Sequence, residues 1–198
     1  DTSVTGVQTC ALPIFFALAA AAPVLILSAC NSQPTVKAEN ASVEEVMEKA
    51  KDAGVVKIEP GEWASKAEVL ELDMPGMKDP GIANMMKQQM QARAATVNSY
   101  CITPEEAEEP GSDMFAGTKK GECKYDSFKM GGGKLDAVMS CASPGGEMHA
   151  TMTGTYSATS YDMTMAMDMN NSQMPGGGMK MKVRTTGERT GECKPGDQ

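Results

Sequence analysis

The sequence predicts a mainly β domain (α+β) built on an antiparallel β-meander, with one or two short packed helices. From Cys123 onward, short runs of alternating apolar and polar residues are separated by turns that contain glycine or proline. The apolar positions of these runs share one face, and many are methionine. Two earlier segments, about 42–54 and 82–93, have helix signals. We therefore expect a curved sheet with one apolar face and one solvent-facing face.

The uncharged segment 11–29 is long enough to span a bilayer. It ends in Leu27-Ser28-Ala29-Cys30, which has the form of a lipobox: small residues precede a cysteine that receives diacylglycerol. We therefore expect residues 15–29 to be the remnant of a signal peptide and Cys30 to be the lipidated start of the mature chain. An uncleaved anchor helix is the alternative, but Pro23 and the polar sequence after the cysteine favour cleavage.

The first 14 residues lack the Lys or Arg that a signal peptide carries at its start. Their sequence from Val4 to Ile14, VTGVQTCALPI, reads as the in-frame translation of a common sequencing adapter. We therefore expect residues 1–14 to be an adapter-derived artefact, and Cys10 not to be a cysteine of the natural protein.

Residues 30–41 are polar and lack apolar periodicity, so a flexible lipidated tether is expected there. A single β-rich domain is expected to follow over residues 42–198. It begins with the capping-box pattern Ser42-x-x-Glu45, which predicts a short helix to about Gly54.

Between this helix and the meander, the sequence predicts two strands, a second helix and a third strand. The two strands lie within 55–72, on either side of the Pro60-Gly61 turn. Residues 82–93 are good helix formers, and the third strand leads to Cys101. The apolar residues near one face of the second helix are Ile82, Met85, Met86 and Met90.

The turns of the meander set the strand registers, because a slip by one residue would turn a whole strand over. A first hairpin loop over residues 130–134 pairs Lys129 with Leu135, Tyr125 with Met139, and Cys123 with Cys141. The later turns give the pairs Met139–Ala150, Ala137–Met152, Tyr156–Tyr161, Met152–Met165, Ala150–Met167, Met148–Met169, Met169–Met179, Met167–Met181 and Met165–Val183.

These registers collect nine methionines on one side of the sheet, here called the methionine face: Met139, Met148, Met152, Met163, Met165, Met167, Met169, Met179 and Met181. The opposite, polar face collects Asp162, Thr164, Asp168, Lys180, Lys182 and Arg184, with Asp168 opposite Lys180.

Three interpretations of the methionine face stay open. Methionine fills irregular cores, and each methionine from 163 to 169 faces an apolar residue except Met163, which faces Gly154. A methionine-lined concavity could instead hold an apolar ligand, unless the helix at 82–93 fills it. Thioether sulfur also suits Cu(I), although His149 falls on the polar face.

The cysteines favour two disulfides. Four remain once Cys10 and Cys30 are set aside, and an exported chain with an even number of cysteines favours disulfides. The hairpin register brings Cys123 opposite Cys141, which leaves Cys101 to pair with Cys193. A metal site of four thiolates is the alternative, but the sequence has no C-x-x-C spacing.

Composition and motifs exclude several function classes. The chain has 18 Lys and Arg against 26 Asp and Glu, a formal net charge of −8, which argues against nucleic-acid binding. With one histidine, histidine-based triads and metal sites are not expected. Nucleotide-binding, hydrolase and metalloprotease motifs are absent. We therefore expect neither an enzyme nor a resident cofactor.

The sequence resembles the domain-of-unknown-function family 3617 of bacterial exported proteins. The features that carry the resemblance are Pro60-Gly61-Glu62-Trp63, Met74-Pro75-Gly76-Met77, Cys101-Ile-Thr-Pro-Glu-Glu106, Cys123-x4-Phe128, Cys141, Gly154-Thr-Tyr156 with Tyr161, and Gly191-x-Cys193. The resemblance implies a β-rich periplasmic or lipoprotein domain of Gram-negative bacteria, and no activity. Together with the lipobox, it indicates a non-catalytic protein lipid-anchored at the periplasmic face of the envelope, at the outer membrane. Its expected partners are that membrane and an apolar small molecule or envelope protein; Cu(I) binding is the alternative.

Overall fold

The computed structural model describes residues 34–108, 123–143, 146–171 and 177–194. In chain order, the elements are β1 (Thr35–Ser42), α1 (Val43–Asp52), β2 (Gly61–Asp73), α2 (Pro80–Ala94), β3 (Asn98–Ile102), α3 (Pro104–Glu108), β4 (Cys123–Gly131), β5 (Lys134–Ser143), β6 (Gly146–Tyr156), β7 (Ser160–Asn171) and β8 (Gly178–Gly191).

The strands form one eight-stranded antiparallel sheet in the order β1-β4-β5-β6-β7-β8-β2-β3. The five strands β4 to β8 are neighbours both along the chain and in the sheet, so the predicted mainly β fold with an antiparallel meander is confirmed. β1 extends this meander on the β4 side, and β2 with β3 extend it on the β8 side.

The prediction of a flexible tether over residues 30–41 is wrong from Thr35 onward. These residues form the edge strand β1, which pairs with β4 and buries Val36, Ala38 and Ala41. The weakly apolar alanines give this segment little periodicity, and its partner strand lies about 90 residues further along the chain. Only the tertiary pairing reveals that it is a strand.

α1 begins as the capping box predicts. The Ser42 side chain accepts a hydrogen bond from the Glu45 backbone N–H at 3.1 Å. The helix is followed by Gly54, which has a positive φ of 57°. Val46 and Ala50 face the sheet and are buried. The helix therefore buries one side against the sheet.

α1 and four strands enclose the main hydrophobic core. Its buried residues are Val36, Ala38, Ala41, Val46, Ala50, Val55, Cys123, Tyr125, Phe128, Ala137, Met139, Ala150 and Met152. They come from α1, the segment after it, and strands β1, β4, β5 and β6, which we call the covered half of the sheet. Strands β7, β8, β2 and β3 are called the open half.

Residues 55–60 connect α1 to β2 without forming the first of the two predicted strands. The Tyr156 hydroxyl donates to the Val55 carbonyl at 3.0 Å, and the Trp63 indole N–H donates to the Glu59 carbonyl at 3.1 Å. These bonds hold the segment against both halves of the sheet. The chain can therefore pass from the β1 edge to β2, six strands away in the sheet.

The first hairpin of the meander differs from its predicted register by one residue near the turn. Met130, and not Lys129, pairs with Leu135, because the turn is the two-residue Gly132-Gly133 with positive φ at both glycines. A bulge at Asp126 absorbs the extra residue, so Tyr125 still pairs with Met139. The other predicted pairs of the meander are confirmed.

α2 contacts β2 but buries none of its side chains. Ile82, Met85 and Met86 point to solvent, and Met90 is partly buried. The expected helix is present, but it does not fill a concavity on the methionine face. Within the described residues, no helix has the length and apolar character needed to cross a bilayer.

Candidate functional site

The methionine face is a grid of side chains across β6, β7 and β8. Antiparallel pairing sets Met148, Met169 and Met179 in one row, because each is the direct cross-strand partner of the next. The following rows are Ala150–Met167–Met181 and Met152–Met165–Val183. The alternation along each strand thus brings thioethers together from three strands.

Burial falls along this grid from the covered half to the open half. Met139 and Met152 are each 5 % exposed and belong to the core. Met148, Met165 and Met167 are partly buried and pack against that core. The remaining methionines of the face are partly buried outside it: Met163, Met169, Met179 and Met181. The core interpretation therefore holds for two of the nine, and the β7–β8 methionines form a partly accessible apolar surface.

An aromatic cluster limits the grid at the end near the β6–β7 turn. Trp63 is 1 % exposed and stacks on Tyr161 with ring centroids 6.1 Å apart. The hydroxyls of Tyr100 and Tyr161 lie 3.3 Å apart. Partial burial raises the pKa of Tyr100, and the contact with the Tyr161 hydroxyl raises it further. The cluster therefore keeps the Tyr100 phenol neutral at this end of the sheet.

The polar face has the cross-strand ion pair that its pattern predicts and a second pair that the pattern does not predict. Asp168 lies opposite Lys180, with 3.0 Å between the carboxylate and the ammonium. Arg184 donates two hydrogen bonds to Asp162, at 2.8 and 2.5 Å. The guanidinium lowers the pKa of the Asp162 carboxyl. Both pairs are solvent-exposed, so they fix side-chain positions more than they stabilise the fold.

His149 belongs to a hydrogen-bond chain on the polar face. The Ser140 hydroxyl donates to the Asp126 carboxylate and lies 3.0 Å from His149 Nδ1. The bulge at Asp126 supplies the first member of this chain. The predicted Met139–Ala150 pairing already implied that Ser140 faces His149, so the register could have revealed this contact.

A cavity of about 570 Å³ lies over the polar face. Its lining residues include His149, Thr151, Thr164, Asp168, Lys180 and Lys182. The lysines already pair with carboxylates, since Lys182 lies 3.5 Å from Glu71 and Lys180 pairs with Asp168. Both lysines over this cavity are therefore paired with carboxylates, and Val138, Ala150, Ala166, Met167 and Met181 add apolar atoms to its lining.

Metal ligands of the usual kinds are not assembled in the described part of the chain: no group of three His, Cys, Asp or Glu residues could hold a metal ion there. The thioethers are a separate ligand type, and the row Met148–Met169–Met179 is the set that suits a soft ion.

The four cysteines form two disulfides, Cys123–Cys141 and Cys101–Cys193. The first joins β4 to β5 in the covered half, and the second joins β3 to the chain after β8 in the open half. These are the two pairings that the sequence favours, and the four-thiolate metal site is therefore wrong. Cys30, the lipobox and residues 1–33 lie outside the described residues.

Fold and sequence pattern together define a class: a disulfide-stapled antiparallel sheet domain with one helix packed on its apolar face. The chain belongs to the family described as protein of unknown function (DUF3617), whose model matches residues 58–193. The suspected family is thus confirmed, and β1 and α1 lie before the matched region. Neither the curated proteins nor the solved structures contain a match.

Proposed function

We propose that this chain is a non-catalytic, lipid-anchored protein of the bacterial periplasm that binds an apolar ligand on the β7–β8 part of its methionine face. The observation that carries the proposal is the burial difference along that face. Met139 and Met152 are buried in the core to which α1 also contributes, whereas Met167, Met169 and Met181 stay partly accessible although they lie on the same side of the sheet.

The chemistry of this surface suits a flexible acyl chain. Methionine side chains are unbranched and polarizable, so they adapt to ligands without a fixed shape. From Met163 to Met169 the surface extends about 20 Å at roughly 3.4 Å per residue, comparable to an extended hexadecyl chain. No charged side chain lies among the methionines of β7 on this face. A fatty acid is therefore a suitable probe.

Palmitate binding tests this proposal. We expect saturable binding, measured by calorimetry, with Met167→Thr/Met181→Thr weakening it at least tenfold, roughly the loss of two apolar contacts. Met85→Thr/Met86→Thr removes two exposed methionines from α2 and is the matched control, with no expected effect. The absence of palmitate binding, or equal loss in both double variants, would contradict the proposal.

The anchor and the location rest on the lipobox at Leu27–Cys30 and are supported by the two disulfides, which form in oxidising compartments. In a Gram-negative host fed an alkyne-tagged fatty acid, the protein should acquire the tag and should be found in the outer-membrane fraction. The Cys30→Ser variant should lack the tag and should no longer be found in the outer-membrane fraction. Label that persists in Cys30→Ser would contradict acylation at this residue.

Cu(I) binding is the second candidate, because Met148, Met169 and Met179 lie side by side on three strands. Met169→Leu separates the two functions, since it conserves apolar volume and removes one thioether. If copper is the ligand, Cu(I) titrated against a competing chelator binds more tightly than micromolar, and Met169→Leu weakens it. If the ligand is apolar, Met169→Leu leaves palmitate binding within about twofold.

A further inference from the structure

α2 presents apolar side chains that the fold leaves in solvent. Ile82, Met85 and Met86 are 47 %, 63 % and 37 % exposed. The helix is well formed without burying them: Pro80 occupies its first turn, and the Asp79 carboxylate accepts a hydrogen bond from the Gly81 N–H at 2.8 Å. These three side chains are therefore displayed on a preformed helix and are not part of the core.

The charge of this region differs from that of the whole chain. Acidic residues outnumber basic ones 26 to 18 overall, but residues 80–104 contain no Asp or Glu. Arg93 of α2 is exposed and Lys87 is partly buried, and Lys78 lies beside Asp79 just before the helix. An acidic protein thus carries an acid-free segment with two basic residues at the same place as its exposed apolar helix.

We propose that α2 docks on a membrane surface that contains anionic lipids, lying in the plane of the interface with Ile82, Met85 and Met86 among the headgroups. Insertion of apolar side chains and the attraction of Lys and Arg to anionic headgroups both contribute to the binding of a protein surface to a membrane. The acidic remainder of the protein would be repelled by the same surface, so only the α2 side can approach it closely.

The charge pattern favours a membrane over a second copy of the chain. A second copy that docked through the same helix would bring its own Lys87 and Arg93 close to those of the first copy, whereas an anionic membrane attracts these residues. The inference complements the proposed function, because acylation of Cys30 would keep α2 near a bilayer. Docking of α2 can be tested without the acyl group on Cys30 and without a ligand on the methionine face.

The test uses residues 31–198, which contain every described element but not the acylated cysteine. The chain is sedimented with vesicles of phosphatidylcholine alone or mixed with phosphatidylglycerol, at about 50 mM and about 500 mM salt. We expect binding only to the anionic vesicles, and less of it at the higher salt. Met85→Gln/Met86→Gln should weaken binding roughly tenfold through lost apolar insertion.

Matched charge variants test the electrostatic part. Lys87→Gln/Arg93→Gln should lower binding and its salt dependence, whereas Lys37→Gln/Lys129→Gln, which neutralises two exposed lysines on β1 and β4, should not. The variant Met85→Trp places a fluorescent reporter on α2, and its emission should shift to the blue on anionic vesicles, above the constant signal of buried Trp63.

Equal binding to neutral and anionic vesicles, equal loss in both charge variants, or an unshifted emission from the Met85→Trp variant would overturn the proposal. Self-association that is lost in Met85→Gln/Met86→Gln, without vesicle binding, would assign this surface to a second copy instead. A negative result in the vesicle assay would not affect the Cys30 labelling or the palmitate results, because the assay contains neither an acylated Cys30 nor palmitate.

Discussion

The covered and open halves of the sheet carry the same residue type on the same face but differ in what packs on it. In the covered half, α1 places Val46 and Ala50 over the sheet, and Met139 and Met152 become core residues. In the open half, the same alternation leaves Met181 and its neighbours partly accessible. A period of two therefore identifies the apolar face, but the covering element decides whether that face is a core or a surface.

Each half also has one disulfide, and their loops differ in length. Cys123–Cys141 closes a separation of 18 residues within one hairpin, whereas Cys101–Cys193 closes a separation of 92 residues that contains all five strands of the meander and ties their end to β3 of the open half. The open half has no α1 above it and so depends more on its covalent link. Four sets of variants test this difference between the two halves.

Removing Cys101–Cys193 should have the largest effect. The chain-entropy relation gives a destabilisation of about 4–5 kcal/mol for Cys101→Ala/Cys193→Ala and about 3 kcal/mol for Cys123→Ala/Cys141→Ala. Urea unfolding followed by circular dichroism measures both. A larger loss from the hairpin disulfide would contradict the view that the open half depends on its link.

Truncating a methionine should have different costs in the two halves. Met152→Ala, in the core, should lower the free energy of unfolding by about 3 kcal/mol, because it leaves a cavity among buried side chains. Met181→Ala should cost less than about 1 kcal/mol, since its side chain is already partly in water. Equal costs in urea titrations would show that both halves are core.

Gly187 tests the packing of the aromatic cluster in the open half. A Cβ on this residue would overlap the ring of Tyr161, whereas a Cβ on Gly191 in the same strand would meet no atom within 4 Å. Gly187→Ala should therefore cost about 1–3 kcal/mol by overpacking. Gly191→Ala is the control and should be close to neutral. Thermal unfolding of the two variants compares them, and equal midpoints would argue against a tightly packed Tyr161.

Alkaline pH should destabilise the fold through Tyr125 of the covered half. Burial raises the pKa of Tyr125 to about 12, above the ordinary value of about 10 in the unfolded chain. The neutral phenol therefore favours the folded state below pH 10, and this contribution is lost as the pH rises from about 10 to about 12. Tyr125→Phe should reduce the slope of stability against pH in that window. An unchanged slope would contradict a buried, neutral Tyr125.

Much of the sheet could be predicted because its meander is local. Hairpins joined by short turns fix the register, and the pairs from Met139–Ala150 to Met165–Val183 follow from turn position alone. The error at Lys129 arose because the bulge at Asp126 has no signal in a single strand. It compensates for a tighter glycine turn, which is visible only once both strands are paired.

The rest of the fold depends on contacts between distant residues. β1 pairs with a strand about 90 residues later, so its small side chains give no local sign of burial. The outward orientation of Met85 and Met86 could not be predicted either, because spacing places residues on a helix face without saying what that face meets. The cavity over the polar face could not be predicted either, since its lining comes from strands β2, β5, β6, β7 and β8 together.

Methionine oxidation tests most directly the claim that the open half is an accessible binding surface. Brief peroxide treatment of the native protein, followed by peptide mass spectrometry, gives a rate for each methionine. We predict fast oxidation of Met85 on α2, intermediate rates for Met169 and Met181, and slow oxidation of Met139 and Met152. Palmitate should slow only the intermediate group. Equal rates for the methionines of the two halves, or rates in the open half that palmitate leaves unchanged, would contradict the account.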